Sequence, residues 1–203
     1  MKNIILAFFL TCFSSTFFHA SEVLSYSKKG NQVIFNCKDG SKLSLTINSN
    51  AVVKIWYDKS GKLVRSNPSF AVVNDKLENM GEVNVNEETS AYEIFTSKLR
   101  IRINKTPMQL QIFDKYQKLI FSDFKDQGHV SDAKAVKAYK VLRNDEQFFG
   151  LGEKTGTLNR RGKNYKMWNS DKPCYSVTED PIAKSIPFFM SSYRYGIFLD
   201  NPY

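Results

Sequence analysis

Three side chains near the C-terminal end of the sequence combine the groups that bind a sugar. Trp168 offers an aromatic face, Asn169 a planar amide and Asp171 a carboxylate, and Pro173 stiffens the backbone that follows. The C–H face of a sugar packs on an aromatic ring, while its hydroxyls hydrogen-bond to amide and carboxylate oxygens. We therefore predict a sugar-binding site here. The alternative interpretation makes Trp168 a core residue and Asp171 a turn-former before Pro173.

A long polar segment precedes these three residues. Between Glu153 and Lys166 the sizeable apolar residues are Leu158 and Tyr165. An irregular segment of this length inside a compact domain is uncommon, and it is usually either a binding loop or disordered. The residue types that follow it favour a binding loop.

Two glycines introduce the polar segment. Gly150 and Gly152 flank Leu151 directly after two aromatic residues. Because glycine has no Cβ, this pattern is typical of a strand end at which the backbone closely approaches another group. Glu153 comes next, and we expect it, like the two glycines, to support the loop rather than to contact sugar.

Five short motifs occupy the last quarter of the sequence in a distinctive order. They are Gly150-Leu-Gly-Glu-Lys154, Leu158-Asn-Arg-Arg-Gly162, Met167-Trp-Asn-Ser-Asp171, Lys184-Ser-Ile-Pro-Phe-Phe189 and Gly196-Ile-Phe-Leu-Asp-Asn201. With these motifs the chain resembles the N-terminal β-sandwich domain of glycoside hydrolase family 31, which has a galactose-mutarotase-like fold. Upstream of them the resemblance extends to the pattern of strands.

The resemblance implies a domain without catalytic residues of its own. In that family both catalytic aspartates lie on a (β/α)₈ barrel that follows the sandwich in the same polypeptide, whereas this sequence reaches only Tyr203. A loop of the family's sandwich extends into the active site and contacts the sugar beyond the scissile bond. Asp171 matches the aspartate of that loop. We therefore expect an α-linked oligosaccharide or glycoside as ligand, and a catalytic barrel as partner.

The elements that would position these residues are strands. Val33, Phe35 and Cys37 alternate with polar residues before the Asp39-Gly40 turn, and the alternation resumes beyond it from Leu43, which predicts a hairpin. A second group of alternating apolar residues precedes another turn, after which a further strand is predicted. This group is Val53, Ile55 and Tyr57, the turn is Asp58 to Gly61, and the further strand is Leu63-Val64.

The middle of the chain continues the same period of two. Leu99, Ile101 and Ile103 alternate with basic residues, and two apolar runs, 110–113 and 119–121, flank the turn at 114–117. No stretch has a convincing helical period. Many short strands without intervening helices predict an all-β fold, an antiparallel sandwich formed by residues 21–203 as one domain.

The first twenty residues look like a secretory signal peptide. Lys2 precedes an apolar run from Ile4 to Leu10, and Ala20-Ser21 is a candidate cleavage site. We expect the mature protein to be secreted or periplasmic. A lipidated Cys12 is the less favoured alternative, because the apolar character continues past it. No later run is long and apolar enough to span a bilayer.

The charge and the histidine count narrow the range of functions. The formal net charge is +9, which is compatible with nucleic-acid binding, but the export signal and the placement of Lys98, Arg100 and Arg102 along one strand face favour a solvated surface. His19 and His129 are the two histidines, so a Ser-His-Asp or Cys-His catalytic set is not expected. Neither a metal site nor a nucleotide-binding glycine motif is predicted, and no cofactor is expected.

Two cysteines remain in the mature chain, Cys37 and Cys174. Two cysteines of an exported protein can form a disulfide bond, but a single pair does not predict a disulfide-rich fold. Since Cys37 alternates with Val33 and Phe35, a buried thiol is the simpler interpretation.

The sequence thus predicts a non-catalytic, carbohydrate-binding N-terminal domain of an α-glucosidase-like glycoside hydrolase, which shapes the substrate pocket. Two other classes stay open. A free-standing secreted glycan-binding module would bind sugar without a barrel, and a secreted structural or interaction domain would have no sugar ligand.

Overall fold

The computed structural model describes residues 20–64, 69, 71–72, 81–131 and 135–200. The predicted signal peptide, except for Ala20, and Asn201 lie outside these residues. The described residues contain fourteen strands and no helix. In chain order the strands are β1 (Val23–Lys29), β2 (Gln32–Cys37), β3 (Lys42–Ser49), β4 (Val52–Asp58), β5 (Val85–Glu87), β6 (Ala91–Phe95), β7 (Leu99–Asn104), β8 (Gln109–Asp114), β9 (Leu119–Ser122), β10 (His129–Ser131), β11 (Val136–Ala138), β12 (Phe148–Gly152), β13 (Ser185–Ser191) and β14 (Gly196–Phe198).

The first four strands form an antiparallel sheet in the order β1-β2-β3-β4. The predicted hairpin at Asp39-Gly40 is confirmed, because Val33 pairs with Leu45 across it. Asp39 closes the turn by accepting hydrogen bonds from the backbone amide and the hydroxyl of Ser41, at 3.1 and 2.6 Å. The apolar residues of β2 and β3 therefore share one face of the sheet.

The next five strands form a second antiparallel sheet in the order β5-β6-β7-β8-β9. Ile101 of β7 pairs with Ile94 of β6 and with Ile112 of β8. The turn predicted at 114–117 joins β8 to β9, and Asp114 Oδ1 accepts from the amides of Tyr116 and Lys118 there. A continuous apolar face results.

The apolar faces of these two sheets enclose the core. Its fully buried side chains include Phe35, Leu43, Leu45, Ile47, Ile94, Ile101, Ile103, Met108 and Leu110. Complete burial of a Leu, Ile or Phe side chain stabilises a fold by about 1.5 to 3 kcal/mol each, so this layer dominates the stability. The predicted antiparallel β-sandwich is confirmed.

The strand predicted at Leu63-Val64 is wrong. Both residues lie outside any strand. The backbone amide of Leu63 donates to Asp58 Oδ2 at 2.6 Å, and Leu63 has a positive φ of 51°. Because the Asp58 side chain captures this amide, the chain curls at the turn instead of extending beyond it.

A buried charge joins the loop after β9 to the five-stranded sheet. Asp123 is fully buried and ion-pairs with Lys140, while His129 Nδ1 lies 3.3 Å from Asp123 Oδ2. The backbone amide of Leu110 also donates to Oδ2, at 3.0 Å. Burial by itself would raise the pKa of Asp123, but His129 and Lys140 outweigh it and hold the pKa below its usual value.

Both cysteines of the described chain are free thiols. Cys37 is buried, and its Sγ lies 3.6 Å from the Sδ of Met108, as the alternation in β2 predicted. Burial raises the pKa of the Cys37 thiol, so it behaves as a small apolar side chain. Cys174 is exposed.

Candidate functional site

The three-stranded sheet β12-β13-β14 carries the candidate site at one end. Gly150 pairs with Phe189 and Gly152 with Ser185, so β13 bulges between these two pairs. A Cβ on Gly152 would lie 2.6 Å from the carbonyl oxygen of Lys184, and both glycines have a positive φ. The backbone of β12 therefore approaches that of β13 more closely than a side chain permits.

Residues 153–184 form no strand and connect β12 to β13. The beginning of this connection is held by Asn159, whose Oδ1 accepts from the amides of Phe148 and Arg161, both at 3.1 Å. The guanidinium of Arg160 donates to the carbonyls of Thr155 and Thr157, at 3.2 and 2.9 Å. Asn159 thus holds the segment against β12, and Arg160 cross-links the segment internally.

Trp168 projects from this connection and is 53% exposed. Trp168 is therefore not part of the core that the described residues form. Its backbone is held on both sides by the Ser185 hydroxyl, which accepts from the Trp168 amide at 3.1 Å and donates to the Trp168 carbonyl at 2.9 Å. Lys166 Nζ lies 5.7 Å from the centre of the indole. The ring is an accessible platform on a fixed backbone.

Asn169 faces the same end of β13. Its side-chain oxygen accepts from the backbone amide of Ser185 at 2.7 Å, and the side chain is exposed. This hydrogen bond fixes the oxygen of the amide, whose NH₂ group is a hydrogen-bond donor.

Asp171 is also exposed. Within residues 20–64, 81–131 and 135–200 no hydrogen bond or ion pair to its carboxylate occurs. The carboxylate is therefore available to a ligand.

Lys154 and Asp180 form an ion pair within the connection between β12 and β13, and the sequence interpretation did not identify this pair. The Lys154 side chain is fully buried, and its ammonium lies 2.8 Å from Asp180 Oδ1. Burial by itself would raise the pKa of Asp180, but the hydrogen bonds from Lys154 and from the Lys166 amide hold the pKa below its usual value. The sequence gives no signal for this pair, because a lysine in a polar segment is normally expected to be exposed to solvent and because Asp180 lies 26 residues further along the chain.

Glu153 is half-exposed, and its carboxylate lies 3.7 Å from the ammonium of Lys184. Its backbone amide donates to the carbonyl of Lys184 at 2.9 Å. A pair this exposed contributes little, so the backbone of Glu153 supports the loop more than its carboxylate does.

One face of the same sheet is apolar and open to solvent. Ile186, Phe188 and Met190 alternate along β13 with exposures of 53, 41 and 51%, and Phe198 of β14 pairs with Phe188 and is 41% exposed. A contiguous exposed apolar surface of this kind usually marks an interaction site.

The described residues offer neither a metal site nor a membrane-spanning helix. Among these residues no group of three or more His, Cys, Asp or Glu side chains is arranged to hold a metal ion. The described residues also include no helix that is long and apolar enough to cross a membrane.

Comparisons with known proteins give one consistent result. The sequence-family model of the glycosyl hydrolase 31 N-terminal galactose mutarotase-like domain matches residues 42–203 of this chain. Alpha-glucosidase 2 of Bacillus thermoamyloliquefaciens is 28% identical over 192 residues, which is 93% of this chain and 23% of the relative.

Two solved structures extend this result. A GH31 dextranase of Flavobacterium johnsoniae in complex with glucose superposes with a TM-score of 0.87 at 62% identity, over 90% of this chain and 22% of the enzyme. A cycloalternan-forming enzyme of Listeria monocytogenes has a TM-score of 0.74 at 19% identity, over 89% of this chain and 17% of the enzyme, and shows the shared fold alone. This chain therefore spans less than a quarter of each relative.

Proposed function

Because this chain belongs to the glycosyl hydrolase 31 N-terminal galactose mutarotase-like domains, we propose that it is a non-catalytic domain that shapes the substrate pocket of an α-glucosidase-like glycoside hydrolase. In this role the sandwich supplies contacts to the sugar, and a catalytic barrel of the same polypeptide supplies the chemistry.

The observation that carries the proposal is the accessible set of groups on one fixed loop. Trp168 presents a ring, Asn169 an amide and Asp171 a carboxylate, all of them exposed. Ser185 holds the backbone of Trp168 and the side-chain oxygen of Asn169. Because the loop is ordered before a ligand arrives, binding costs less conformational entropy.

The ligand that we propose is an α-linked glucose oligosaccharide. The Flavobacterium johnsoniae dextranase that is 62% identical to this chain also has a solved complex with isomaltotriose, formed by a variant of the enzyme. Isomaltotriose is therefore the first ligand to test.

The apolar face formed by Ile186, Phe188, Met190 and Phe198 is the surface on which we propose that the barrel docks. It lies on β13 and β14, and β13 begins at Ser185, which holds residues 166–171, the proposed sugar-binding segment that we call the sugar loop. A barrel seated on this face would cover apolar surface that is otherwise exposed to water, and it would bring the loop to the mouth of the barrel.

The protein is proposed to be secreted or periplasmic. The support is the sequence from Lys2 to Ser21, with its apolar run and its small residues at the end.

The test of the proposed function uses a polypeptide in which this chain precedes a family 31 barrel. Substitution Trp168→Ala should raise KM for isomaltotriose about tenfold, because the packing surface for a sugar ring is lost. The control is Leu158→Ala, which removes a 73% exposed apolar side chain from the same loop and should leave KM unchanged. The isolated chain should not hydrolyse aryl α-glucosides. Equal KM values for Trp168→Ala and the parent would contradict the proposal.

A free-standing glycan-binding module is the second candidate, and the position of all three sugar-facing groups on this chain favours it. The two candidates differ in the affinity of the isolated chain for isomaltotriose. A module should bind it in a calorimetric titration, and the binding should disappear in Asp171→Ala. A domain that only completes the pocket of a barrel should give no measurable heat.

A further inference from the structure

Lys154 is a fully buried cation beside an exposed site. Its ammonium donates to the Lys166 carbonyl oxygen at 2.8 Å, to Asp180 Oδ1 at 2.8 Å and to Ser185 Oγ at 3.1 Å. An ammonium has three N–H donors, so all of them are used inside the protein. Burying a charge costs several kcal/mol unless it is paired and hydrogen-bonded, and here both conditions are met.

Two of the three acceptors lie in the connection between β12 and β13, and the third lies in β13. Lys166 lies two residues before Trp168, Asp180 lies near the end of the same connection, and Ser185 opens β13. The second oxygen of Asp180 accepts from the Lys166 amide at 2.6 Å. Lys166 is therefore held at its carbonyl by Lys154 and at its amide by Asp180.

The third acceptor extends the network to the sugar loop. The Ser185 hydroxyl that receives the Lys154 hydrogen bond also contacts both backbone polar groups of Trp168. The Ser185 amide holds the side chain of Asn169. Through these contacts the position of one ammonium is coupled to the backbone of Trp168 and to the orientation of Asn169.

We propose that Lys154, with Asp180 as its charged partner, is the positioning residue of the sugar loop. It fixes Lys166 and Ser185, and through them it holds Trp168 and Asn169, and with them the loop that continues to Asp171, in the arrangement that a ligand meets. Lys154 itself does not contact sugar, because its three donors are used and its side chain is fully buried. The choice of ligand rests on the proposed function, whereas the positioning network does not.

The first test measures loop order in this chain without sugar. Substitution Lys154→Met keeps an unbranched side chain, one atom shorter, and removes the charge and its three N–H donors. Hydrogen exchange followed by mass spectrometry should become at least tenfold faster in peptides that contain Lys166 to Asp171, while exchange in β2, β3, β7 and β8 stays unchanged. The matched control is Lys184→Met, which removes a 74% exposed lysine from the same region and should leave exchange as in the parent.

A second variant keeps the test decisive if Lys154→Met does not fold. Asp180→Asn removes the charge of the partner but retains a side-chain oxygen as acceptor, so it should speed exchange of the same peptides by a smaller factor. Unchanged exchange from Lys166 to Asp171 in the folded variants would overturn the proposal.

The second test separates positioning from simple structural support. In the polypeptide with a barrel, Lys154→Met should lower kcat/KM for isomaltotriose at least fivefold and that for an aryl α-glucoside less than twofold. Equal losses on both substrates would overturn the positioning role of Lys154. A different result would contradict the proposed function but not the positioning network. In that case Trp168→Ala and Asp171→Ala would leave the kinetics with isomaltotriose unchanged, while Lys154→Met would still speed hydrogen exchange in the loop.

Discussion

The side-chain oxygen of Asn169 accepts a hydrogen bond from the backbone amide of Ser185 at 2.7 Å, which places the sugar loop directly against the first residue of β13. This hydrogen bond fixes a loop residue against β13. The backbones of β12 and β13 can approach each other closely here because Gly150 and Gly152 have no side chains. The order of the loop consequently depends on backbone geometry at Gly152 as well as on the polar contacts of Ser185.

The close approach at Gly152 predicts a large effect of a single methyl group. Gly152→Ala should lower the free energy of unfolding by about 3 kcal/mol, because the positive φ of 79° is strained for alanine and the new Cβ meets the backbone of Lys184. Gly162 is the control, since its φ of 77° is similar and no atom lies within 4 Å of an added Cβ. Gly162→Ala should cost about 1 kcal/mol in urea denaturation. Equal costs for the two variants would contradict the close approach.

The hydroxyl of Ser185 predicts a smaller effect. Ser185→Ala removes an acceptor from Lys154 and two hydrogen bonds from the backbone of Trp168. We expect the free energy of unfolding to fall by about 1 to 2 kcal/mol, measured by thermal denaturation. Ser176→Ala, in the exposed part of the same connection, should leave the melting temperature within about 1 °C of the parent. A Ser185→Ala variant as stable as the parent would show that the loop is held in another way.

The buried carboxylate of Asp123 predicts how stability depends on pH. Since the pKa of Asp123 is lower in the folded protein than in the unfolded chain, its contribution is present above the unfolded value of about 3.9 and is lost as the pH falls through the folded pKa. Asp123→Asn should therefore destabilise the protein by about 3 kcal/mol at pH 7. In urea denaturation this deficit should shrink towards pH 2.

The control for this prediction is Asp171→Asn, an exposed carboxylate, which should leave the urea midpoint at pH 7 unchanged. A deficit of Asp123→Asn that is the same at pH 7 and pH 2 would show that the charge of Asp123 contributes nothing.

The proposed signal peptide predicts the position of the mature N-terminus. Expression of the whole sequence in a bacterium should yield an exported product whose mass corresponds to an unmodified N-terminus near Ser21. Mass spectrometry distinguishes this product from the two alternatives. A lipid-modified Cys12 would place the protein on a membrane surface, and an intact N-terminus in the cytoplasm would remove the export proposal.

The sandwich could be predicted from the sequence because its signals are local. Alternation in β2, β3 and β7, and turn residues such as Asp39 and Gly40, specify hairpins without knowledge of distant contacts. The prediction failed at Leu63, where two apolar residues look like a strand but a side-chain oxygen of Asp58 binds the backbone amide. The alternation of apolar and polar residues does not reveal whether a backbone amide will bond to a neighbouring strand or to a nearby side chain.

The candidate site divides in a similar way. Trp168, Asn169 and Asp171 could be proposed as sugar-binding residues from their residue types, and the structure places all three on the surface. Lys154 could not be identified, because its burial results from contacts with Asp180 and Ser185 that are distant in sequence. Residue type indicates what a side chain can bind, but only the fold indicates whether water reaches it.

The most direct measurement of the central claim compares two substrates in a polypeptide that carries this chain followed by a family 31 barrel. If the Asp171 carboxylate accepts hydrogen bonds from the sugar that leaves the reaction, Asp171→Ala should lower kcat/KM for isomaltotriose by about ten- to a hundredfold, since a charged hydrogen bond contributes roughly 1.5 to 3 kcal/mol. Hydrolysis of an aryl α-glucoside, which has no second sugar to lose, should change less than about threefold. Glu153→Ala is the control and should leave both values near those of the parent. Equal losses on the two substrates in Asp171→Ala, together with a lower melting temperature, would remove Asp171 from the binding site and contradict the account.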